Sequence, residues 1–168
     1  MYYVTICTYN REKILSKIIT DIPLNNTFKP ITYLTNIGIE IKNSILNIQL
    51  KNTNIYIKEY VIMPDHIHMI ININNDYGIQ KFYPKKYGFE NIDICNNSAN
   101  KQHKERRGRR SLQGLIKDFK SVTTRKYGKK LWQKSYYEHI IRNEKEYYQI
   151  CNYIQQNPLR YVLKNRNQ

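Results

Sequence analysis

His66-Ile67-His68 lies inside the run Tyr60-Val-Ile-Met-Pro-Asp-His-Ile-His-Met-Ile-Ile-Asn-Ile-Asn74. β-branched and apolar residues flank it on both sides and helix signals are few, so the pattern predicts a strand. On a strand, residues two apart project to the same face, which sends both imidazoles one way. Two neighbouring imidazoles offer two ligands to one divalent ion if a third donor arrives from elsewhere. The same pair is also compatible with hydrogen-bonded core histidines. The third donor decides between these readings.

The chain has 168 residues, enough for one well-packed domain over 1–168 and short for two. It carries 28 Lys+Arg against 13 Asp+Glu, a formal net charge of +15, which points to a polyanionic partner. Nucleic acid and an anionic membrane surface are the two candidates. No apolar stretch approaches the roughly 18–20 residues of a bilayer span, and the start lacks a basic-then-apolar signal pattern, so no membrane role is expected. Cys7, Cys95 and Cys151 are odd in number and form no CxxC, which implies neither a disulfide framework nor a cysteine zinc site. A reducing, cytoplasmic compartment fits. A metal beside a polyanion points to phosphodiester chemistry.

The order of elements follows from period and punctuation. Tyr2 to Tyr9 is β-branched and aromatic and reads as an interior strand. Residues 11 to 30 hold Pro23, Pro30 and Asn25-Asn26 and read as a connection with at most short structure. From Ile31 the period becomes helical, with Leu34, Ile37, Ile41, Ile45 and Ile48 on one face to about Leu50. Gly38 inside that helix suggests close packing. Residues 55 to 63 form the next strand, and Pro64 breaks it from the histidine strand. Residues 75 to 110 read as a poorly structured basic insertion containing Lys101, Lys104, Arg106, Arg107, Arg109 and Arg110.

Ser111 then caps a helix with the apolar stripe Leu112, Leu115, Ile116, Phe119 and Val122, and with Lys117, Lys120, Arg125 and Lys126 as a basic side. Leu131 to Arg142 reads as a strand. Asn143, with Glu146 three residues on, caps a last helix that Asn157-Pro158 ends or kinks. The order is β-α-β-β-α-β-α.

Tyr153 and Asn157 are four residues apart and share a face of that last helix. If the face covers the histidine strand, the Asn157 amide oxygen is a third ligand and Tyr153 lies beside the metal. A phenol next to a polarised phosphate can attack it and conserve the bond energy as phosphotyrosine. Several plainer readings compete. Tyr153 is one of 16 tyrosines, with Tyr147, Tyr148 and Tyr161 close by, and a helical tyrosine usually packs. Gln156 could replace Asn157 as ligand, and Asn-Pro is also an ordinary helix stop. Glu138 and His139 face opposite sides of a strand, so at most one can reach the site. Asp65 could orient a histidine. The basic loop is either solvated or a phosphate-neutralising track that the second helix extends.

Met63-Pro-Asp-His-Ile-His-Met-Ile70 resembles the His-hydrophobic-His segment of the single-tyrosine HUH transposases. Gln113-Gly-Leu-Ile-Lys-Asp-Phe-Lys-Ser121 is similar to their second-helix segment. Trp132 to Asn143 and Tyr153-Ile-Gln-Gln-Asn-Pro158 resemble the REP-associated branch. The resemblance spans nearly the whole chain except 75 to 110. It implies an α+β, ferredoxin-like (RRM-like) palm, with an antiparallel sheet of about four strands and helices packed on it. It further implies that the protein nicks and rejoins single-stranded DNA near a hairpin or palindromic repeat. Tyr153 matches the nucleophile that forms a 5′-phosphotyrosine, His66 and His68 match the metal pair, and Asn157 matches the polar ligand; the implied ion is Mg²⁺ or Mn²⁺. Relatives occur as monomers and as dimers that exchange the tyrosine helix, so a homodimer is possible. A prokaryotic, nucleoid-associated location follows from the same resemblance. Two rivals remain: a non-catalytic RNA- or single-stranded-DNA-binding module on the same fold, and a metal-dependent phosphodiester hydrolase.

Overall fold

A computed structural model describes residues 1–21, 29–74 and 111–166. The basic insertion, with Lys101, Lys104, Arg106, Arg107, Arg109 and Arg110, lies outside the described residues. The elements run β1 (Tyr2–Cys7), β2 (Ser16–Asp21), β3 (Lys29–Leu34), α1 (Asn36–Lys51), β4 (Ile55–Ile62), β5 (His66–Ile73), α2 (Leu112–Tyr127), β6 (Tyr137–Ile140) and α3 (Glu144–Arg166). Strands β4-β5-β1-β6 form a four-stranded sheet whose pairs are all antiparallel, with β1 in its interior. The class is α+β, as expected.

Alternation along β1 and β5 divides the sheet into two faces. Val4 and Ile6 of β1 and Ile67, Met69 and Ile71 of β5 are buried with Ile41 and Ile45 of α1 and Leu115, Ile116 and Phe119 of α2. The opposite face carries Tyr3, Thr5 and Cys7, aligned with Ile70, His68 and His66. There Ile70 packs with Cys151 and Ile154 of α3. Burying a side chain such as Ile154 stabilises the docked helix by about 1.5–3 kcal/mol. Thus α1 and α2 cover one face, and α3 lies over the histidines on the other.

The sequence expectations hold for β1 and β5, and for α2 except that Val122 of its expected apolar stripe is exposed and Thr123 is buried instead. The Ser111 hydroxyl accepts from Gly114 N at 3.1 Å, which is the expected cap. Gly38 is packed so closely that a β-carbon would collide with the Leu15 carbonyl. Four expectations need correction. The 11–30 connection contains β2 and, with β3, makes a two-stranded ribbon; Pro30 is tolerated there because such a ribbon has only edges. Helix α1 starts at Asn36, not Ile31, since the Thr35 hydroxyl caps it by accepting from Gly38 N. The 131–142 strand shrinks to β6, with Trp132 joined to Thr8 by a single bridge. Helix α3 passes Pro158 and continues to Arg166, packed against β2 and β3 as well as the main sheet. That packing carries it past the one hydrogen bond a proline cannot donate. Among the described residues no helix is long and apolar enough to cross a membrane.

Candidate active site

The two histidines converge. Nε2 of His66 and Nε2 of His68 are 3.1 Å apart, and the rings meet edge to face with centroids at 4.6 Å. Each ring is held from behind by its other nitrogen. His66 Nδ1–H donates to Asp65 Oδ1 at 2.6 Å. His68 Nδ1 lies 2.8 Å from both the Tyr3 and the Thr5 hydroxyl oxygens, the side chains that β1 presents on this face. With a proton on each Nδ1, both Nε2 atoms keep their lone pairs and point them at one another. Two lone pairs at that distance repel unless a proton or a cation lies between them.

Asp65 is fixed in turn. Its carbonyl accepts from the Thr8 N–H at 2.9 Å and from the Thr8 hydroxyl at 3.0 Å. Its carboxylate meets Arg11 Nε at 3.1 Å. Burial opposes ionisation of Asp65, but the His66 hydrogen bond and the Arg11 charge outweigh it and hold the carboxyl below its usual range. Arg11 reaches back through a turn in which Asn10 (φ 52°) and Arg11 (φ 57°) are both left-handed, a geometry costing of order 1–3 kcal/mol per strained residue. Arg11 also donates from Nη1 to the Cys7 sulfur at 2.7 Å.

Electrostatics keep His68 neutral. It is 4% exposed, and burial, then the neighbouring His66 and Arg11, push its pKa down to about 3. A neutral imidazole with Nδ1 engaged is the form that ligates a metal. Adjacent ligands at about 2.1 Å from an octahedral ion are about 3.0 Å apart, which matches the spacing of the two Nε2 atoms. The donor set therefore fits a divalent ion. Among the described residues no three His, Cys, Asp or Glu side chains gather to complete such a site, so a third ligand drawn from these residues is another kind of donor.

Helix α3 brings the remaining groups. The Tyr153 ring lies 5.4 Å from the His68 ring and 6.4 Å from the Tyr3 ring, edge-on to both, and it is 37% exposed. The tyrosine comes from the same chain as the histidines. One turn on, Asn157 is 8% exposed and shares the helix face. Gln156 is exposed and donates to Asn152 instead. The neighbouring tyrosines are placed otherwise: Tyr147, in the first turn of α3, packs against the Ile70–Ile154 cluster with its phenol pushed up by burial, and Tyr148 meets Tyr147 edge-on. His139 aligns with Tyr3 on the site face, but its Nε2 pairs with Glu146 Oε1 at 2.6 Å, while Glu138 accepts from the Tyr136 hydroxyl. Glu146 Oε2 also accepts from Arg142 N, and Asn143 Oδ1 from Glu146 N, which together cap α3.

The basic side of α2 divides. Lys117 and Arg125 are exposed. Lys126 pairs with Glu40 at 2.8 Å. Lys120 is committed inward: its ammonium donates to the carbonyls of Gln133, Lys134 and Ser135 at 2.8, 3.1 and 3.0 Å, which uses all three donors. It anchors the 133–135 segment and has no proton left for a phosphate, a correction to its sequence assignment. Sequence reasoning also passed over Tyr3, Thr5, Arg11 and Arg160, whose guanidinium carbon lies 5.2 Å from the Tyr153 ring centroid. The alternation of Tyr3, Thr5 and Cys7 with Val4 and Ile6 was the available signal for the first two.

Comparison with known proteins places the chain in a family. A chain with the "REP associates tyrosine transposase bound to a REP hairpin" matches over 95% of this chain and 67% of its own, with 18% identity and a TM-score of 0.57. A putative transposase from Deinococcus radiodurans aligns over 92% of this chain and 88% of its own at 16% identity, with a TM-score of 0.46. An uncharacterized protein of Haemophilus influenzae is 32% identical over 163 residues, covering 94% of this chain and 79% of its own length. The family model described as "Transposase IS200 like" matches residues 1–109, which include β1, the Arg11 turn and the histidine strand. The chain belongs to the IS200-like transposase family.

Proposed function

We propose that this transposase nicks and rejoins single-stranded DNA at hairpin-associated sites through a 5′-phosphotyrosine on Tyr153. The observation that carries the reading is the Tyr153 ring lying against His68, on a helix docked over the histidine face. His66 and His68, with Asn157 as the amide donor, would hold Mg²⁺ or Mn²⁺, which supplies Lewis-acid charge at the scissile phosphate when bound. The chain's own groups do the rest. Asp65 and the Tyr3 and Thr5 hydroxyls fix the two rings so that their Nε2 atoms converge. Tyr153 Oη attacks phosphorus in line, the bond to the 3′ oxygen breaks, and the exposed phenol releases its proton to water while the leaving oxygen takes one up. Rejoining runs these steps in reverse from a 3′-hydroxyl.

Helix α3 docks on the sheet of its own chain, and action in cis is proposed on that docking. Lys117 and Arg125 fit the role of phosphate contacts beside the strand. Lys101, Lys104, Arg106, Arg107, Arg109 and Arg110 are proposed for the same role on charge alone. Tyr137 stands on the site face next to Tyr3, edge-on at 6.0 Å and 58% exposed, and suits stacking of an unpaired base, worth roughly 1–3 kcal/mol.

The test is a trapping experiment. Hairpin-bearing single-stranded DNA and Mn²⁺ should give a protein–DNA adduct that withstands denaturation and is lost in Tyr153→Phe. Cleavage that survives Tyr153→Phe without an adduct would establish a hydrolase instead. Binding that ignores the metal and cuts nothing would establish a binding module.

A further inference from the structure

Arg160 lies seven residues after Tyr153 on α3, two turns along the same face, with Asn157 between them. Helical side chains lean toward the N-terminus, so Arg160 folds back over the tyrosine. Its guanidinium carbon sits 5.2 Å from the Tyr153 ring centroid. Among the described residues no carboxylate forms an ion pair with Arg160, and it is exposed to solvent. Contrast Arg11, whose guanidinium is engaged by Asp65 and Cys7. The face therefore presents a phenol, an amide and an uncommitted cation in one line.

We propose that Arg160 is a further catalytic residue, donating to a non-bridging oxygen of the phosphate that Tyr153 attacks. The inference rests on the tyrosine-transesterase reading given above. As the bond from Tyr153 Oη to phosphorus forms and the bond to the 3′ oxygen breaks, negative charge gathers on the non-bridging oxygens. Arg160 keeps all its protons through the step and supplies N–H donors in a fixed fork that matches phosphate geometry. The Tyr153 ring, in turn, holds the guanidinium beside the nucleophile before DNA arrives. Lysine could supply the charge but not the fork.

The test compares wild type, Arg160→Met and Arg160→Lys, using hairpin-bearing single-stranded DNA that wild type cleaves, with Mn²⁺. Methionine keeps an apolar stem over the ring and removes only the cation, so an unchanged thermal midpoint marks an intact fold. At saturating DNA, the single-turnover rate of adduct formation should fall by about 10²–10³ in Arg160→Met, as for loss of one donor to a developing oxyanion, with a smaller loss in Arg160→Lys. DNA affinity should change by no more than about threefold. Placing a methylphosphonate at the mapped cleavage position removes one charged oxygen, and the gap between wild type and Arg160→Met should then shrink to under about tenfold. An Arg160→Met rate close to wild type, or an equal gap on both substrates, would overturn the assignment and leave Arg160 as ring packing. Absence of any wild-type adduct would instead sink the transesterase reading itself.

Discussion

Lowering the pH should unfold this protein through His68, and the size of the effect follows from its burial. The imidazole has an ordinary value of 6.5 and is pushed down to about 3 in the folded chain, chiefly by burial. The unfolded chain therefore takes up the proton first. Stability from this group is complete above about pH 6.5 and is lost progressively as pH falls toward 3. At pH 5 the unfolded side chain lies about 1.5 units below its pKa, and at roughly 1.4 kcal/mol per unit the loss is about 2 kcal/mol. In a domain of this size that lowers the thermal midpoint by about 4–8 °C. Other groups titrate in the same window, so the informative quantity is a difference between two proteins. Guanidinium melts of wild type and His68→Gln at pH 7 and pH 5, without metal, isolate it: wild type should lose about 2 kcal/mol more than the variant across that interval. Equal losses would refute the claim that His68 is held neutral, and with it the argument that its Nε2 lone pair is kept for a metal.

Four further outcomes are expected. Asp65→Asn replaces the carboxylate that accepts the His66 Nδ1–H hydrogen bond, and should weaken Mn²⁺ binding by about 10–100-fold in a calorimetric titration. Gly38→Ala forces a β-carbon into the Leu15 carbonyl, and chemical denaturation should register a loss of about 1–3 kcal/mol. Lys120→Ala should cost about 1.5–3 kcal/mol by releasing the 133–135 carbonyls, without changing the salt dependence of DNA binding. Lys117→Ala and Arg125→Ala should behave in the opposite way, each lowering the slope of log affinity against log salt by about 0.7 with little effect on stability.

What could be read in the sequence was local. Strand β5 was legible because a period of two is written in the run itself, and it placed both imidazoles on one face without any knowledge of the sheet. Helix α2 was legible because its cap and stripe lie within a few residues of each other. Ribbon β2–β3 was missed because Pro23, Pro30 and Asn25-Asn26 make residues 11 to 30 read as a connection, whereas edge pairing tolerates Pro30. An end or a kink at Asn157-Pro158 was expected from local preference, and with α3 packed against β2 and β3 the helix does not end there but runs on to Arg166. Within the site, the Tyr153–Asn157 spacing was visible. The Tyr3 and Thr5 anchors depend on the pairing of β1 with β5, more than sixty residues apart, and no local pattern encodes that register. Lys120 shows the reverse failure: its spacing put it on a basic stripe, and only the returning 133–135 segment turns it inward.

The most direct measurement of the central claim is the identity of the residue that carries DNA after cleavage. Wild-type protein incubated with the hairpin strand and Mn²⁺, digested and sequenced by tandem mass spectrometry, should yield a nucleotide-linked peptide with the 5′-phosphate on Tyr153. A link to Tyr147, Tyr148 or Tyr161, or cleaved DNA with no linked peptide, would contradict the account.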